Sequence, residues 1–367
     1  RCWRWLCVLL SDMAISTSAT LPTPLNADVV AFCPESGLHH VLACGCYELD
    51  NTQQPARRHG RLALAFVDRA GRQLVETSAV EGIGVLDCSW LQTSRLLLSA
   101  ATAACDTRIY QVHKGADGTA TLAEEACATM PCADAGDACM ALDWSADASR
   151  VAVTSTAGRV YLGELGQSSG GCSGLCGSAS WRAHELEGWA VAFDPRDSNT
   201  LYTGADDAQL KRWDLRAAAD GGEPVATATN RRSHGAGVCC VSPSRLREHC
   251  VATGSYDETA RLWDVRQLRA PVSELGLGGG VWRLKWHPER ADLLLAACMH
   301  AGFAVLSSGG AEAAAGGEGL SLVARYEAHG LGGALGYGAD WAHGGALAAA
   351  TCSFYDRALH AWTLEEV

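Results

Sequence analysis

Residues 234–266 decide the fold: His234 is followed first by GVCCVSP and then by CVATGSYDETARLWDVR. From His234 to Asp257 is 23 residues, and from Asp257 to Trp263 is six. Short apolar segments bounded by Gly, Ser and Pro are typical of β-strands joined by turns. This stretch therefore predicts a small unit of consecutive strands.

Two other parts of the chain repeat the spacing. His184, Asp207 and Trp213 are again 23 and six residues apart, and Asp356 lies six residues before Trp362 near the C-terminal end. Three copies with one spacing are hard to obtain by chance, so they indicate a repeat protein.

Weaker copies fill the remainder of the chain. Each first strand ends on an aromatic or apolar residue, and successive residues of this kind are 45 to 58 positions apart: Phe32, Trp90, Trp144, Phe193, Val241, Trp286 and Trp341. A second apolar strand follows each of them. Short strands repeated at this period predict an all-β protein, a β-propeller with seven blades of four strands.

The two ends of the chain are expected to close this propeller. The sequence stops after the third strand of blade seven, so the segment near residues 10–24 is predicted to supply the fourth strand and to hide an edge. We expect one propeller domain over residues 13–367. Because the first residue is not an initiator and Met13 could be the start, residues 1–12 are interpreted as a candidate non-native extension.

Composition excludes several classes of protein. Lys and Arg total 29 against 41 Asp and Glu, and the net charge of −12 argues against a basic nucleic-acid-binding surface. No apolar run approaches the ~20 residues of a membrane-spanning helix. The 17 cysteines are irregularly spaced and many lie in apolar segments, which favours free buried thiols in a reducing cytoplasm. We expect a cytoplasmic monomer with no metal site.

The repeats resemble those of WD-repeat proteins. In that family His, Ser, Asp and Trp form a buried hydrogen-bonded set, to which His234, Ser255, Asp257 and Trp263 correspond. The resemblance implies that these side chains orient strands and perform no chemistry. Conventional catalytic motifs are no more informative, because the Gly-rich stretches lack the Lys and following helix of a phosphate site.

A candidate site remains at the mouth of the propeller, where the turns between second and third strands meet the starts of the first strands. The residue just before the repeat aspartate is expected there, which gives Tyr47, Asp206, Tyr256, His300 and Tyr355. A second ring lies four residues before the residue that ends each first strand and contains Asp28, Leu86, Met140, Trp189, Gly237, Trp282 and Tyr337.

These side chains suit two kinds of ligand. Aromatic faces beside a carboxylate bind a quaternary ammonium, with up to ~2 kcal/mol per ring when the cation is desolvated. His300 has no obvious structural partner, since Ala301 replaces the repeat aspartate, and a neutral imidazole can act as a general base. Tyr, Trp and His are also typical of protein-binding surfaces, so a non-catalytic interface stays open.

Several longer segments are more specific than generic WD repeats. They are HVLACGCYEL, WRAHELEGWAVAF, CVATGSYDETARLWDVRQLRAPV, GGVWRLKWHP, LLLAACMHAGF, YGADW and TCSFYDRALHAW. From about Asp28 to Trp362 the chain resembles the diphthine methylesterase family, diphthamide-biosynthesis WD-repeat proteins also labelled diphthine methyltransferase. The resemblance implies a cytosolic hydrolase that demethylates methylated diphthine on translation elongation factor 2 before the final amidation. No motif for S-adenosylmethionine is present in the sequence, and no cofactor is expected.

Diphthine carries a trimethylammonium group beside its carboxyl group. The substrate that the resemblance implies therefore fits the aromatic and acidic residues expected at the mouth, and the two observations give one hypothesis. His300 is expected to activate water or a nearby nucleophile, with Asp206 orienting or charging it. Tyr256, Tyr355 or Arg283 could donate to the oxyanion, although for Arg283 the favoured interpretation is a strand residue paired with a neighbouring acid. The expected substrate-binding residues are Asp28, Tyr47, Trp189, Tyr256, Trp282, Tyr337 and Tyr355.

Other interpretations stay open. A covalent route would use Cys298, Cys352 or Ser353, which lie close in sequence to mouth residues. A scaffold would present elongation factor 2 or another protein without catalysis. The endings WDVR and WDLR also occur in substrate receptors of ubiquitin ligases, although ordinary blades carry them too. Neither nucleic acid nor membrane is expected as a direct partner.

Overall fold

The computed structural model describes residues 13–52, 57–68, 72–116, 118–123, 128–131, 137–168, 171–219, 221–309, 319–330, 333–345 and 347–366. These residues form seven antiparallel sheets, the blades of a β-propeller. The prediction of an all-β, seven-bladed propeller is confirmed. In the described part of the chain, no helix is long and apolar enough to span a membrane.

Blades one to three contain the first half of the strands. In blade two the third strand pairs with the outer strand and also with an additional short strand. The bounds of blade one are β2 (Ala27–Phe32), β3 (Val41–Asp50), β4 (Arg57–Val67) and β5 (Leu74–Glu81). Those of blade two are β6 (Val85–Gln92), β7 (Leu96–Thr102), β8 (Asp106–Lys114), β9 (Ala120–Leu122) and β10 (Ala128–Pro131). Those of blade three are β11 (Cys139–Trp144), β12 (Arg150–Ser155), β13 (Arg159–Ser168) and β14 (Gly171–Arg182).

Blades four to seven follow the same order, and blade four adds the short helix α1 (Arg216–Ala219). Blade four has β15 (Gly188–Asp194), β16 (Asp197–Ala205), β17 (Leu210–Asp214) and β18 (Val225–Asn230). Blade five has β19 (Val238–Pro243), β20 (Cys250–Ser255), β21 (Thr259–Asp264) and β22 (Ser273–Gly276). Blade six has β23 (Arg283–Trp286), β24 (Leu293–Ala297), β25 (Phe303–Ser307) and β26 (Ser321–Tyr326). Blade seven has β27 (Gly336–Trp341), β28 (Ala348–Ser353) and β29 (Ala358–Glu366), and its outer strand is β1 (Met13–Pro22).

Strand β1 closes the propeller. It pairs with β29 from Met13 opposite Glu366 to Pro22 opposite Ala358, so the outer strand of blade seven comes from the other end of the chain. The predicted closure is confirmed, and it gives β29 a partner along its whole length. The interpretation of residues 1–12 lies outside the described residues.

The core lies between neighbouring blades. One buried cluster joins Val29 and Leu64 of blade one to Cys88 and Tyr110 of blade two, and the other clusters also combine adjacent blades. The first strands of the blades contact one another in ring order, and β27 returns to β2. These seven strands therefore surround a central channel. The twelve cysteines whose side chains the structure describes are free, and most are buried.

The hydrogen-bonded set of the WD repeat differs in one member from the expectation. The Thr253 hydroxyl accepts from Trp263 Nε1 at 2.8 Å and lies 2.9 Å from His234 Nε2. Ser255, the expected member, donates instead to the carbonyl of Ala236. In the strand register Trp263 lies opposite Val251. Thr253 is the next residue of β20 on the same face as Val251, whereas Ser255 lies two residues further along the strand.

Candidate functional site

A central cavity of ≈ 460 Å³ lies inside the ring of first strands. Six residues of the predicted second ring line it, namely Asp28, Leu86, Met140, Trp189, Trp282 and Tyr337. Tyr47 and Tyr256 of the other predicted ring line it as well. The structure therefore brings most of the predicted mouth residues together around one cavity.

β-Bulges direct the side chains of the second set of mouth residues into the channel. The register of six first strands shifts at one residue, and the residues left unpaired are Asp28, Leu86, Met140, Trp189, Cys239 and Tyr337. A bulge redirects the side chain that it leaves unpaired, and bulges are common next to functional sites. In blade five the bulge is at Cys239, which lines the cavity, so the assignment of Gly237 to this ring is wrong. The error arises because the residue four positions after the bulge, which in the other bulged strands is the aligned aromatic or apolar residue, is Pro243 in blade five and not Val241.

Six aromatic rings form a continuous wall on one side of the cavity mouth. Trp282 lies at its centre, with ring centroids 5.1 Å from Trp189, 5.9 Å from Tyr256 and 4.8 Å from Tyr337. Phe354 extends the wall, 5.4 Å from Tyr337 and 5.1 Å from Tyr47. We call these six residues the aromatic wall. Neighbouring rings of the wall are tilted or edge-to-face, and all of its members except Phe354 also line the cavity.

An ion pair crosses the channel and lines the same cavity. Arg283 of blade six donates from Nη1 to Asp87 Oδ1 of blade two at 2.8 Å, although blades seven and one lie between these two blades. Asp28 is close enough to both for their charges to act on it. We call Asp28, Asp87 and Arg283 the acid–arginine cluster. Burial opposes the charge of Arg283, but Asp87 and Asp28 together hold its pKa above the ordinary value.

Asp28 is the buried acid of this cluster with an unused oxygen. Its residue is 2% exposed, and Oδ1 has no hydrogen-bond partner among the described residues. Burial raises the pKa of Asp28 from 3.8 to about 7, because the charged form loses its water; the charge of Arg283 opposes this shift and that of Asp87 adds to it. The Asp28 carboxyl therefore titrates near neutral pH.

Other acids on the first strands have structural partners. Asp143 accepts the amide hydrogen of Phe193 at 2.8 Å, and Asp340 accepts that of Phe32 at 2.8 Å, each from the next blade. Asp87 accepts that of Leu142 at 3.1 Å besides its bond with Arg283. These three carboxylates tie neighbouring first strands together.

Three predicted site residues lie outside the cavity lining. His300, Asp206 and Tyr355 are exposed, Tyr355 by 64%, and none is among the residues that line the cavity. His300 belongs to the tight turn between β24 and β25, which the bridge between Met299 and Gly336 ties to blade seven. The catalytic roles of His300 and Asp206 stay predictions.

Two curated proteins match most of the chain. A mouse protein named diphthine methyltransferase is 34% identical over 340 residues, with 87% of this chain and 68% of the mouse protein covered. A human protein of the same name is 32% identical over 361 residues, with 88% and 74% covered. The chain belongs to the diphthine methyltransferase family. The resemblance found in the sequence is thereby confirmed.

Two other matches place this member of the diphthine methyltransferase family among WD propellers. The family described as "WD domain, G-beta repeat" matches residues 222–264. A chain from the crystal structure of the mitotic checkpoint complex superposes with a TM-score of 0.68 at 16% identity, covering 95% of this chain and 91% of the other. At that identity the second match supports the fold alone.

The buried thiols of this diphthine methyltransferase family member are poor candidates for a nucleophile. Burial raises the pKa of Cys298 to about 12 and that of Cys240, which lines the cavity, also to about 12. A thiol with so high a pKa stays protonated at neutral pH, and the thiolate is the nucleophilic form. Among the described residues, no cluster of three or more His, Cys, Asp or Glu side chains is arranged to hold a metal ion.

Sequence reasoning missed two parts of the site. Phe354 completes the aromatic wall, but it stands one residue before the position that the repeat pattern selects. Asp87 pairs with Arg283 across the channel, at a separation of 196 residues. Asp87 and Arg283 lie three residues before Trp90 and Trp286, which align in the repeat, so a search for opposite charges at equivalent repeat positions could have found the pair.

Proposed function

We propose that this protein is a cytoplasmic ester hydrolase that removes the methyl group from methylated diphthine on translation elongation factor 2. Diphthine and methanol are the products, and amidation follows. The observation that carries the proposal is the aromatic wall beside the acid–arginine cluster in one cavity, in a chain whose relatives are named for diphthine.

The aromatic wall supports recognition of the trimethylammonium group. Trp282, Trp189 and Tyr337 all line the cavity, so a cation bound there would meet the negative side of their ring quadrupoles, and Asp28 adds a carboxyl group to the same cavity. A quaternary ammonium has no N–H to donate, so ring faces and charge are the means by which a protein binds it. This geometry favours a fully methylated amine.

The acid–arginine cluster supports chemistry at the adjacent ester. In diphthine the carboxyl carbon is attached to the carbon that carries the trimethylammonium group, so an ester held at the wall lies close to Asp28 and Arg283. The Nε atom of Arg283 has no acceptor among the described residues. A fixed donor of this kind stabilises the oxyanion of the tetrahedral intermediate, an effect of about 3 kcal/mol per donor in hydrolases.

The exposed aromatic residues near the wall support docking of a protein substrate. Tyr256 lines the cavity and is 37% exposed, and Tyr355 is 64% exposed with its ring against Phe354. Tyrosines of this kind are typical contact residues of protein interfaces. Elongation factor 2 would lie against this face and insert its modified histidine. His300 and Asp206, also exposed, stay candidates for proton transfer or for contact with the factor.

The test is mass spectrometry of elongation factor 2 bearing methylated diphthine, incubated with the purified full chain and no added cofactor. We expect the modified peptide to lose the mass of one CH₂ unit and methanol to appear in equal amount. Trp282→Ala should slow the reaction at low substrate, whereas Trp282→Phe, which keeps a ring, should slow it less. No mass change with the wild-type chain would refute the hydrolase.

A scaffold is the second candidate, because exposed Tyr256 and Tyr355 suit a protein partner whether or not chemistry follows. It predicts that the chain binds elongation factor 2 equally well with and without the methyl ester and releases no methanol. Isothermal titration calorimetry with the two forms of the factor separates the candidates.

A further inference from the structure

Ester hydrolysis needs a group that accepts a proton from water at the ester carbonyl. The aromatic wall would hold the trimethylammonium group inside the cavity, and the ester carbon is attached one bond from the carbon that carries it. His300 and Asp206, the acceptors expected from sequence, are exposed and do not line this cavity. Asp28 lines it, is buried, and has an oxygen without a hydrogen-bond partner among the described residues.

We propose that Asp28 is the proton acceptor of the hydrolysis, taking the proton of the water that attacks the ester carbonyl in the central cavity. This assignment rests on the function proposed above. It gives Asp28 a role beyond that of a counter-charge for the substrate.

The surroundings of Asp28 suit that role. The titratable groups that face it come from five blades: Arg283, Asp87, Cys46, Tyr47, Tyr256 and Tyr337. Burial raises the pKa of each of the three tyrosines above its ordinary value, so they stay neutral and leave Arg283 and Asp87 as the charges that act on Asp28. Burial raises the pKa of Asp28 to about 7, which makes its carboxylate a stronger base than an exposed one while leaving it substantially ionised at neutral pH.

The proposed reaction balances as follows. Water transfers one proton to Asp28 while its oxygen forms a bond to the ester carbonyl carbon, and the carbonyl electron pair moves to the oxygen that Arg283 faces. When the tetrahedral intermediate collapses, the bond to the methoxy oxygen breaks and Asp28 returns its proton to that oxygen. Methanol and the carboxylic acid result; the acid releases a proton to solvent, and Asp28 is again a carboxylate.

Substrate binding should itself favour the active form of Asp28. A trimethylammonium group placed beside the carboxyl group stabilises the carboxylate, which lowers its pKa in the complex. The pH dependence of kcat/KM reports the free enzyme, and that of kcat reports the complex. The acid limb of kcat/KM should therefore lie near pH 7 and that of kcat lower.

The experiment compares the full-length wild type, Asp28→Asn and Asp143→Asn on elongation factor 2 bearing methylated diphthine, with kcat and KM measured from about pH 5 to 9. Asp143 is a matched control, because it is another acid of the cavity lining with a raised pKa, and asparagine can still accept the Phe193 amide hydrogen. We expect Asp28→Asn to lower kcat roughly 10²- to 10⁴-fold and to abolish the acid limb, and Asp143→Asn to stay within a few fold of wild type.

The outcomes separate this assignment from the proposed function. Methanol release by Asp28→Asn at a kcat close to wild type, or a raised KM with unchanged kcat and an intact limb, overturns the assignment alone. Absence of methanol with the wild type overturns the proposed function and the assignment with it. The pH profile of the wild type tests the assignment even if a variant fails to fold. If kcat/KM of the wild type has no acid limb between about pH 6 and 8, Asp28 is not the proton acceptor.

Discussion

Replacing Asp28 with asparagine should stabilise the fold, and increasingly so as the pH rises. The folded protein holds a proton on Asp28 up to about pH 7, whereas the unfolded chain releases it near 3.8. Between these values the folded state binds more protons than the unfolded state, so the wild type loses stability as pH increases. Asparagine resembles the protonated acid and has no such dependence.

The magnitude follows from the two pKa values. A shift of about three units, at about 1.4 kcal/mol per unit, gives about 4 kcal/mol for the free energy lost by ionising Asp28 above pH 7. Between pH 5.5 and 8 the Asp28→Asn advantage should grow by about 2 kcal/mol, since part of the loss has occurred at the lower pH. The ion pair of Arg283 with Asp87 stays in place, so the variant leaves no unpaired charge.

Urea denaturation of both proteins, followed by tryptophan fluorescence at several pH values, measures this difference. Asp143→Asn is the control: burial raises the pKa of Asp143 only to about 6, so its advantage should grow by less than about 1 kcal/mol over the same range. An Asp28→Asn advantage that is flat with pH, or a variant less stable than wild type at pH 8, would show that Asp28 is not a buried, destabilising carboxylate.

Three further changes test the aromatic wall, the hydrogen-bonded set of blade five and the closure of the propeller. Trp282→Ala should raise KM for methylated diphthine roughly 10- to 30-fold through loss of one ring face, as steady-state methanol release would report; an unchanged KM excludes the wall as the cation site. Thr253→Val leaves the His234 and Trp263 ring nitrogens without their shared hydroxyl and should lower the free energy of unfolding by about 1–3 kcal/mol with kcat unaltered, and equal urea midpoints would contradict this. Deletion of Met13–Pro22 uncovers the edge of blade seven and should cause self-association in light scattering, whereas a monodisperse monomer would show that the edge needs no cover.

The propeller was predictable because its repeats are local. The spacing from His184 to Asp207 and on to Trp213 follows from one blade alone, and the structure places all three in a single buried network with Thr203. The closing strand was predictable by counting strands, since blade seven lacked one. The identity of the hydroxyl in the network was missed because choosing between a threonine and a serine two residues apart requires the strand register.

The site was predictable only where it follows the repeat. Asp28, Trp189 and Tyr337 occupy one repeat position, and the bulges direct all three into the channel. The repeat alignment was wrong in blade five, where the bulge lies four residues before Pro243 and not before Val241. It also selected turn residues such as His300, and that His300 is exposed could not be read from its sequence position. The bond between Arg283 and Asp87 joins distant blades, so it is visible only once the ring is closed.

The contrast among the acids of the first strands is the strongest reason to assign function to Asp28. Asp87, Asp143 and Asp340 each accept an amide hydrogen of the following blade, so evident structural roles account for them. Asp28 is buried, its Oδ1 has no hydrogen-bond partner among the described residues, and its ionisation lowers stability. A buried charge that lowers stability and lines a cavity is expected where a bound ligand supplies the stabilising interaction that the fold lacks. A quaternary ammonium at the wall would supply it, because the charge that it brings offsets the lost hydration of the carboxylate.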